Sequence, residues 1–198
     1  MTGFLVGLPA MMGCGSSTSD TKPSMPVVSF AAEMPQGYNP CQDVPQGVLD
    51  AEQLHSKEPV EGKTLLPVDE VKDQWMKYRG CRWLRTNSYR VEITTTVLTV
   101  DIALWYHNRN SKRPDAQEFT IAGRRVISRR PSLYLINVAC VANVDMKGGS
   151  LAIDVYDSTA RAEPGVNATP TVNPGRIDVC VLARNLAEQI VPSLPATA

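Results

Sequence analysis

The side chains able to do chemistry are few. Two histidines, His55 and His107, are the whole supply for any imidazole-dependent step. His55 stands in an acidic stretch beside no nucleophile motif. His107 follows Trp105-Tyr106 and precedes a basic stretch, where a packed ring or a solvated surface explains it better than catalysis. The chain has no Gly-x-Ser-x-Gly, no Walker A sequence, no Gly-x-Gly-x-x-Gly and no His-Glu-x-x-His, so the common hydrolase, nucleotide and zinc-protease signatures are missing. Neighbouring carboxylates such as Asp69-Glu70 do not define a glycosidase pair, because that reaction depends on their separation across a pocket. The expectation is a protein that is not an enzyme, with no catalytic residues and no cofactor.

Sulfur is more informative. The five cysteines are Cys14, Cys41, Cys81, Cys140 and Cys180, and no two have the close spacing of a zinc knuckle or a redox motif. No metal site is expected. With Cys14 set apart, four remain, widely spaced, which is how an exported protein uses cysteine. Four allow three pairings, and spacing does not choose among them. Packing favours Cys41 with Cys81 and Cys140 with Cys180, since a last helix lying across a sheet brings Cys180 towards the face that holds Cys140.

Cys14 closes an apolar, uncharged run over residues 3–12, too short to span a bilayer as a permanent helix. Gly13 before it suits a lipoprotein signal peptidase, whose site must admit the backbone and present the thiol for acylation. Met11 and Met12 stand where the lipobox prefers Leu and a small residue, and no base precedes Lys22; a start placed too far downstream or a weak signal accounts for this. The expected organisation is a signal peptide over 1–13, a flexible tether over 14–34, one domain over 35–193 and a disordered tail over 194–198.

The chain has 198 residues and 43% hydrophobic composition, enough to bury the core of one domain. Twenty basic residues match twenty acidic ones, so whole-chain charge favours neither nucleic acid nor an acidic tail. The charges are segregated, however. Nine acids face three lysines between 33 and 73, and seven bases face two acids between 109 and 130. Arg124, Arg125, Arg129 and Arg130, near Lys112 and Arg113, form a candidate patch for anionic lipid head groups, acidic glycans or a partner protein. A strand edge guarded by charge is the plainer account. Nucleic acid is not an expected partner, because no aromatic residues are interleaved with the bases. Trp75, Trp83 and Trp105 read as core before they read as a ligand cleft, and Asn167-Ala168-Thr169 is a chance glycosylation match.

The elements that must position these residues follow from periodicity. Residues 44–54 keep helical spacing and predict a short helix held by Cys41, and 55–66 carry charge, Gly and Pro and predict a loop. Alternation from Trp75 to Leu84 and from Tyr89 to Thr95 predicts a hairpin turning at Asn87-Ser88. Leu98, Ile102 and Trp105 predict a helix of two turns with Thr99 near its start. Phe119 and Ile121 open a strand that turns or bulges at Ala122-Gly123 and continues through Val126-Ile127. Residues 133–144 are apolar on both faces and predict a long central strand, and Lys147-Gly148-Gly149 turns it into Leu151, Ile153 and Val155. Residues 158–173 predict a loop. Asn173-Pro174 reads as a helix start for the stripe Ile177, Cys180, Val181, Leu186, Ala187 and Ile190. The fold class is α+β, a central antiparallel sheet flanked by a short N-terminal helix and a long C-terminal helix, with two disulfides.

Asn39-Pro40-Cys41, Gly80-Cys81-Arg82-Trp83, Ile121-Ala122-Gly123-Arg124, Asn137-Val138-Ala139-Cys140-Val141, Cys180-Val181-Leu182-Ala183 and Leu186-Ala187 together resemble an uncharacterised actinobacterial (mycobacterial and nocardial) lipoprotein family, the domain of unknown function numbered 3558. The likeness covers residues from about 35 to 193. It implies a cell-envelope location, the same two-bridge arrangement and a fold related to PsbP-like sandwiches, and it brings no activity. The expected function is a non-catalytic binding or interaction role on the outer face of the membrane, lipid-anchored, towards an envelope protein, lipid or glycan. A phage- or prophage-derived surface-exclusion lipoprotein is the alternative, and an envelope enzyme comes third.

Overall fold

In a computed structural model the described residues are 30–31, 33–65, 74–86, 88–110, 115–130, 139–158 and 177–196. Seven strands form one sheet: β1 (His55–Leu65), β2 (Trp75–Leu84), β3 (Tyr89–Thr96), β4 (Gln117–Ile121), β5 (Arg124–Arg129), β6 (Ala139–Met146) and β7 (Gly149–Asp157). Their order is β1-β2-β3-β7-β6-β5-β4, every neighbouring pair antiparallel. Two meanders, β1-β2-β3 and β4-β5-β6-β7, are therefore zipped together by one long-range pairing, which runs from Tyr89↔Asp157 to Thr96↔Ser150. Helix α3 (Val100–Asn110) lies in the connection between them, while α1 (Pro40–Asp43) and α2 (Gln46–Ala51) precede the sheet and α4 (Val179–Ile190) follows it.

The period of two assigns the main core to one face. Cys81 and Trp83 of β2, Val91 and Ile93 of β3, Ile153 and Val155 of β7, Cys140, Ala142 and Val144 of β6, and Val126 of β5 are all buried there. Helix α4 closes this face with the stripe Val179, Leu182, Ala183, Leu186, Ala187 and Ile190, the spacing an amphipathic helix needs. Its first turn is capped by Asp178, whose Oδ1 accepts from the backbone N–H of Cys180 at 2.8 Å and of Val181 at 3.4 Å. Such a cap is worth about 1 kcal/mol. Strand β2 passes so close to β3 that a side chain at Gly80 would run into the Ile93 carbonyl oxygen.

Both disulfides join the helical layer to this face. Cys41 of α1 bonds Cys81 of β2, and Cys180 of α4 bonds Cys140 of β6, with Cα–Cα distances of 5.1 and 5.0 Å. The pairing and the α+β layout match the sequence reading.

Several elements differ from it. Residues 55–65 form the eleven-residue strand β1 instead of a loop. As the outermost strand it is exposed almost throughout, so neither face carries an alternating signal; Lys57, Pro59 and Lys63 suit a free edge that must resist pairing with another chain. The short helix splits at Val44-Pro45 into α1 and α2, and α1 begins where the Asn39 side chain accepts from Cys41 N–H at 3.1 Å. Helix α3 runs for 11 residues, three turns where two were expected, with Thr99 Oγ1 accepting from Ile102 N–H at 3.3 Å. The last helix starts at Val179 under Asp178, so Asn173 is not its cap. Residues 131–138, which include the first half of the expected central strand, and most of the loop over 158–173 lie outside the described residues. The body reaches beyond the expected domain limits at both ends: Phe30 packs against α3 and its N–H donates to Gln74 Oε1 at 2.9 Å. At the other end Leu194 is buried, and Pro195 O accepts from Arg124. The signal segment, Cys14 and residues 15–29 lie outside the described residues.

Candidate functional site

The second face of the sheet is polar. On β3 and β7 the residues that alternate with the core are Arg90, Glu92, Thr94 and Thr96, and Ser150, Ala152, Asp154 and Tyr156. Helix α3 packs over β5 and β6 on this side, where Ser150 Oγ donates to Leu98 O at 2.6 Å. Strand register sets a row of side chains across six strands. Glu58 stands opposite Arg82, Arg82 opposite Glu92, Glu92 opposite Asp154, Asp154 opposite Val141, and Val141 opposite Arg129. Arg90 and Tyr156 form the next rung. Arg82, Arg90, Glu92, Asp154, Tyr156 and Arg129 are each half-buried on this face.

Charge is unevenly matched along the row. Arg82 Nε and Nη2 donate to Glu92 Oε2 at 3.1 and 3.0 Å, with Glu58 at 3.9 Å from Arg82 Nη1. Glu92 and Asp154 are carboxylates directly opposite on neighbouring strands, an unfavourable arrangement. Asp154 responds by holding its proton to about 7: burial raises it most, Glu92 adds to that, and Arg129, Tyr156 and Arg90 oppose it. Arg129 is pushed downward by burial and upward by Asp154, Tyr106 and Tyr156, though a guanidinium stays charged in water-accessible protein. Arg90 lies over the Tyr156 ring, 4.3 Å from its centroid. The Nε–H groups of Arg90 and Arg129 are sealed from solvent with no hydrogen-bond partner among the described residues, while the Arg90 guanidinium is hydrogen-bonded to the Tyr156 hydroxyl.

The arginines expected to share a patch are divided by the pleat of β5. Arg124 and Arg130 go to the α4 side, where Arg124 is buried and donates to Asp145 O at 3.1 Å, and Arg130 Nη2 lies 3.4 Å from Asp178 Oδ1. Arg125 and Arg129 go to the other side, where Arg125 grips Glu118 at 2.6 and 3.2 Å and also Asp101 of α3. Of the four, Arg129 alone joins the row. Arg90, Glu92, Asp154 and Tyr156 did not stand out in the sequence. The signal was there in the polar positions alternating with Val91, Ile93, Ile153 and Val155, but such positions usually face water, and the register that lines them up is long-range.

His107 is buried on α3, its Nε2 3.0 Å from Asp115 Oδ1. Burial, the largest influence, lowers its pKa, Asp115 raises it and Arg129 lowers it. The pair pins the end of α3 to the approach to β4, with no hydroxyl or thiol nucleophile placed against it by any hydrogen bond in the described residues. His55 is exposed at the start of β1. Trp83 is core, Trp105 packs against the α3 cluster, and Trp75 is exposed with Lys63 Nζ 4.9 Å from its ring. Two shallow pockets, one of about 220 Å³ beside α3 and one of about 270 Å³ between Tyr89 and Val181, fall short of the ~300 Å³ at which small-molecule sites begin. No group of three metal-ligating side chains occurs among the described residues, and no helix among them is long and apolar enough to cross a membrane.

Comparison with known proteins returns one family, described as "Protein of unknown function (DUF3558)", matched over residues 9–193. The match takes in all five cysteines. No curated protein and no solved structure matches the chain.

Proposed function

The chain belongs to the DUF3558 family, and from that premise we propose that it is an exported lipoprotein, anchored through acylated Cys14 to the outer face of the membrane, that works by binding another envelope component. The observation that carries this reading is that all four cysteines of the folded body are paired, each bond tying a helix to the sheet. Disulfides persist in oxidising compartments and are rare where thiols are kept reduced. Cys14 is the odd one left, directly after Gly13 at the end of an apolar run, and it falls inside the family match. A covalent lipid adds membrane affinity in proportion to its buried methylenes, so a body with no spanning helix among its described residues is retained there. The polar face of arginines and carboxylates is the surface on which a partner would act. The partner is an envelope protein, lipid or glycan, and neither a cofactor nor nucleic acid enters the reading.

The test is the intact mass of the membrane-extracted protein, with and without reductant. Loss of residues 1–13, the added mass of acyl chains and the appearance of four thiols on reduction are expected. An unprocessed chain in the soluble fraction carrying free thiols would refute the reading.

A further inference from the structure

Large apolar side chains are left open at both ends of the sheet. At one end Ile177 and Val181 line the shallow pocket beside Tyr89, where β3 pairs with Asp157. At the other, Leu65 and Trp75 are each 44% exposed and stand directly opposite each other on the last rung of β1 and β2. The next rung on that face is Lys63 opposite Lys77, both exposed, and behind it Glu61 faces Arg79. Two lysines opposite each other repel, and Lys63 Nζ lies 4.9 Å from the centroid of the Trp75 ring. An apolar rung backed by a basic one is the pattern of a lipid interface. Tryptophan sets its apolar body at headgroup level, and lysine stems lie along apolar surface while their ammonium groups stay among the phosphates. The chain enters the described body at this same end. Phe30 N–H donates to Gln74 Oε1, next to Trp75, and Glu33 and Pro35 pass beside Gly148 and Gly149, where β6 turns into β7. Cys14 stands 16 residues before Phe30, a stretch of at most about 55 Å when fully extended. Seating Ile177 and Val181 on the bilayer instead would draw that stretch about 30 Å along the body, the length of ten-residue β2. A surface close to the anchor has the higher effective concentration at the membrane, so the tether selects the Trp75 end.

We infer that the end of the β1–β2 ribbon, through Leu65, Trp75, Lys63 and Lys77, docks on the anionic lipid surface to which the chain is anchored. The inference rests on the anchored reading above and gives the body its orientation. One apolar rung enters the headgroup region, a depth of about 5–10 Å. Water still meets the free edge of β1 there, so no bare backbone is carried into hydrocarbon. With this end down the strands stand upright on the bilayer, and the polar face of Arg90, Glu92, Asp154 and Tyr156 looks sideways, clear of lipid and open to a partner.

The test is tryptophan fluorescence of the full chain on vesicles of phosphatidylglycerol and phosphatidylcholine, the latter brominated near the headgroup. Quenching of the emission is expected from the membrane-extracted protein after reconstitution, and Trp75→Phe should abolish it, because Trp83 is core and Trp105 packs against α3. In the full chain carrying Cys14→Ser, titrated with the same vesicles, Lys63→Gln and Lys77→Gln should each weaken binding about fivefold and Leu65→Ser about tenfold. Val181→Ser, at the far end, should change nothing. Near-ultraviolet circular dichroism shows which variants are folded, and the lysine changes serve if Leu65→Ser is not. Quenching that survives Trp75→Phe, no quenching of the reconstituted protein, or equal weakening by Val181→Ser overturns the inference. A lipid-free dimer in sedimentation equilibrium that Leu65→Ser dissociates assigns the rung to a second copy and overturns it too. A chain whose intact mass shows no acyl group, yet whose Trp75 is quenched by vesicles, keeps this surface and sinks the anchor; an acylated chain with unquenched Trp75 does the reverse.

Discussion

Replacing Asp154 by asparagine should stabilise the protein, and more so the higher the pH. The carboxyl titrates at about 7 in the fold, against 3.8 when fully hydrated, because burial and the opposing Glu92 together outweigh Arg129. The folded state thus holds this proton more tightly than the unfolded chain, and stability falls as pH rises between the two values. Each unit of that interval is worth about 1.4 kcal/mol, so the interval of about three units sets a ceiling of about 4 kcal/mol. The effective dielectric of real protein interiors, well above that of dry protein, reduces this to an expected loss of about 2 kcal/mol. Asparagine has the same shape and no proton to lose, so its stability lacks that decline. Urea unfolding at one-unit steps from pH 4 to pH 8 should show wild type and Asp154→Asn close together at pH 4, separating through pH 7 and parallel above it. Curves parallel over the whole range would refute the argument, and a variant that loses stability increasingly with pH would reverse its sign.

Other expectations test the frame around this polar face. Cys140→Ala with Cys180→Ala opens a loop spanning 40 residues and should cost about 3 to 4 kcal/mol, read as a drop in melting temperature that reductant no longer enlarges to the wild-type extent. Asp178→Ala removes the cap of α4 and the partner of Arg130, and should cost about 1 kcal/mol in denaturant unfolding. Gly80→Ala places a methyl group against the Ile93 carbonyl; little soluble, folded protein should accumulate, and normal yield with wild-type melting would contradict the packing of β2 on β3. Trp83→Ala empties a fully enclosed site and should cost about 3 to 5 kcal/mol, measured in the same way.

Where one face of an element is dry, its residues announced it. The β2–β3 and β6–β7 hairpins, the helix carrying Cys180 and both disulfide pairings were legible because Val91, Ile93, Ile153, Val155, Leu186 and Ile190 alternate or recur at the period their element imposes. Strand β1 was not legible, since an edge strand with both faces wet leaves no periodic trace, and Pro59 and Gly62 mimic a loop. The start of α4 was misplaced because Asn173-Pro174 and Asp178 are both good helix openers, and only the tertiary position of Cys180 selects the second. The arginine run over 124–130 looked like one surface because sequence adjacency hides the pleat, which sends Arg124 and Arg129 to opposite sides. Asp154 was invisible for a deeper reason. Its neighbour Glu92 lies on a strand whose pairing closes a gap of about sixty residues, Arg129 stands two strands away across β6, and no local pattern encodes that register.

Both sulfur bridges fasten helices to the same side of the sheet, whereas α3 rests on the opposite side through apolar contacts, the Arg125–Asp101 ion pair and the His107–Asp115 pair, with no covalent link among the described residues. Resistance to opening is therefore lopsided. Amide hydrogens of α4 should exchange with deuterium only when the whole protein lets go, while those of α3 exchange through a cheaper, local release that briefly uncovers the floor around Ser150 and Asn143 without loosening the riveted half.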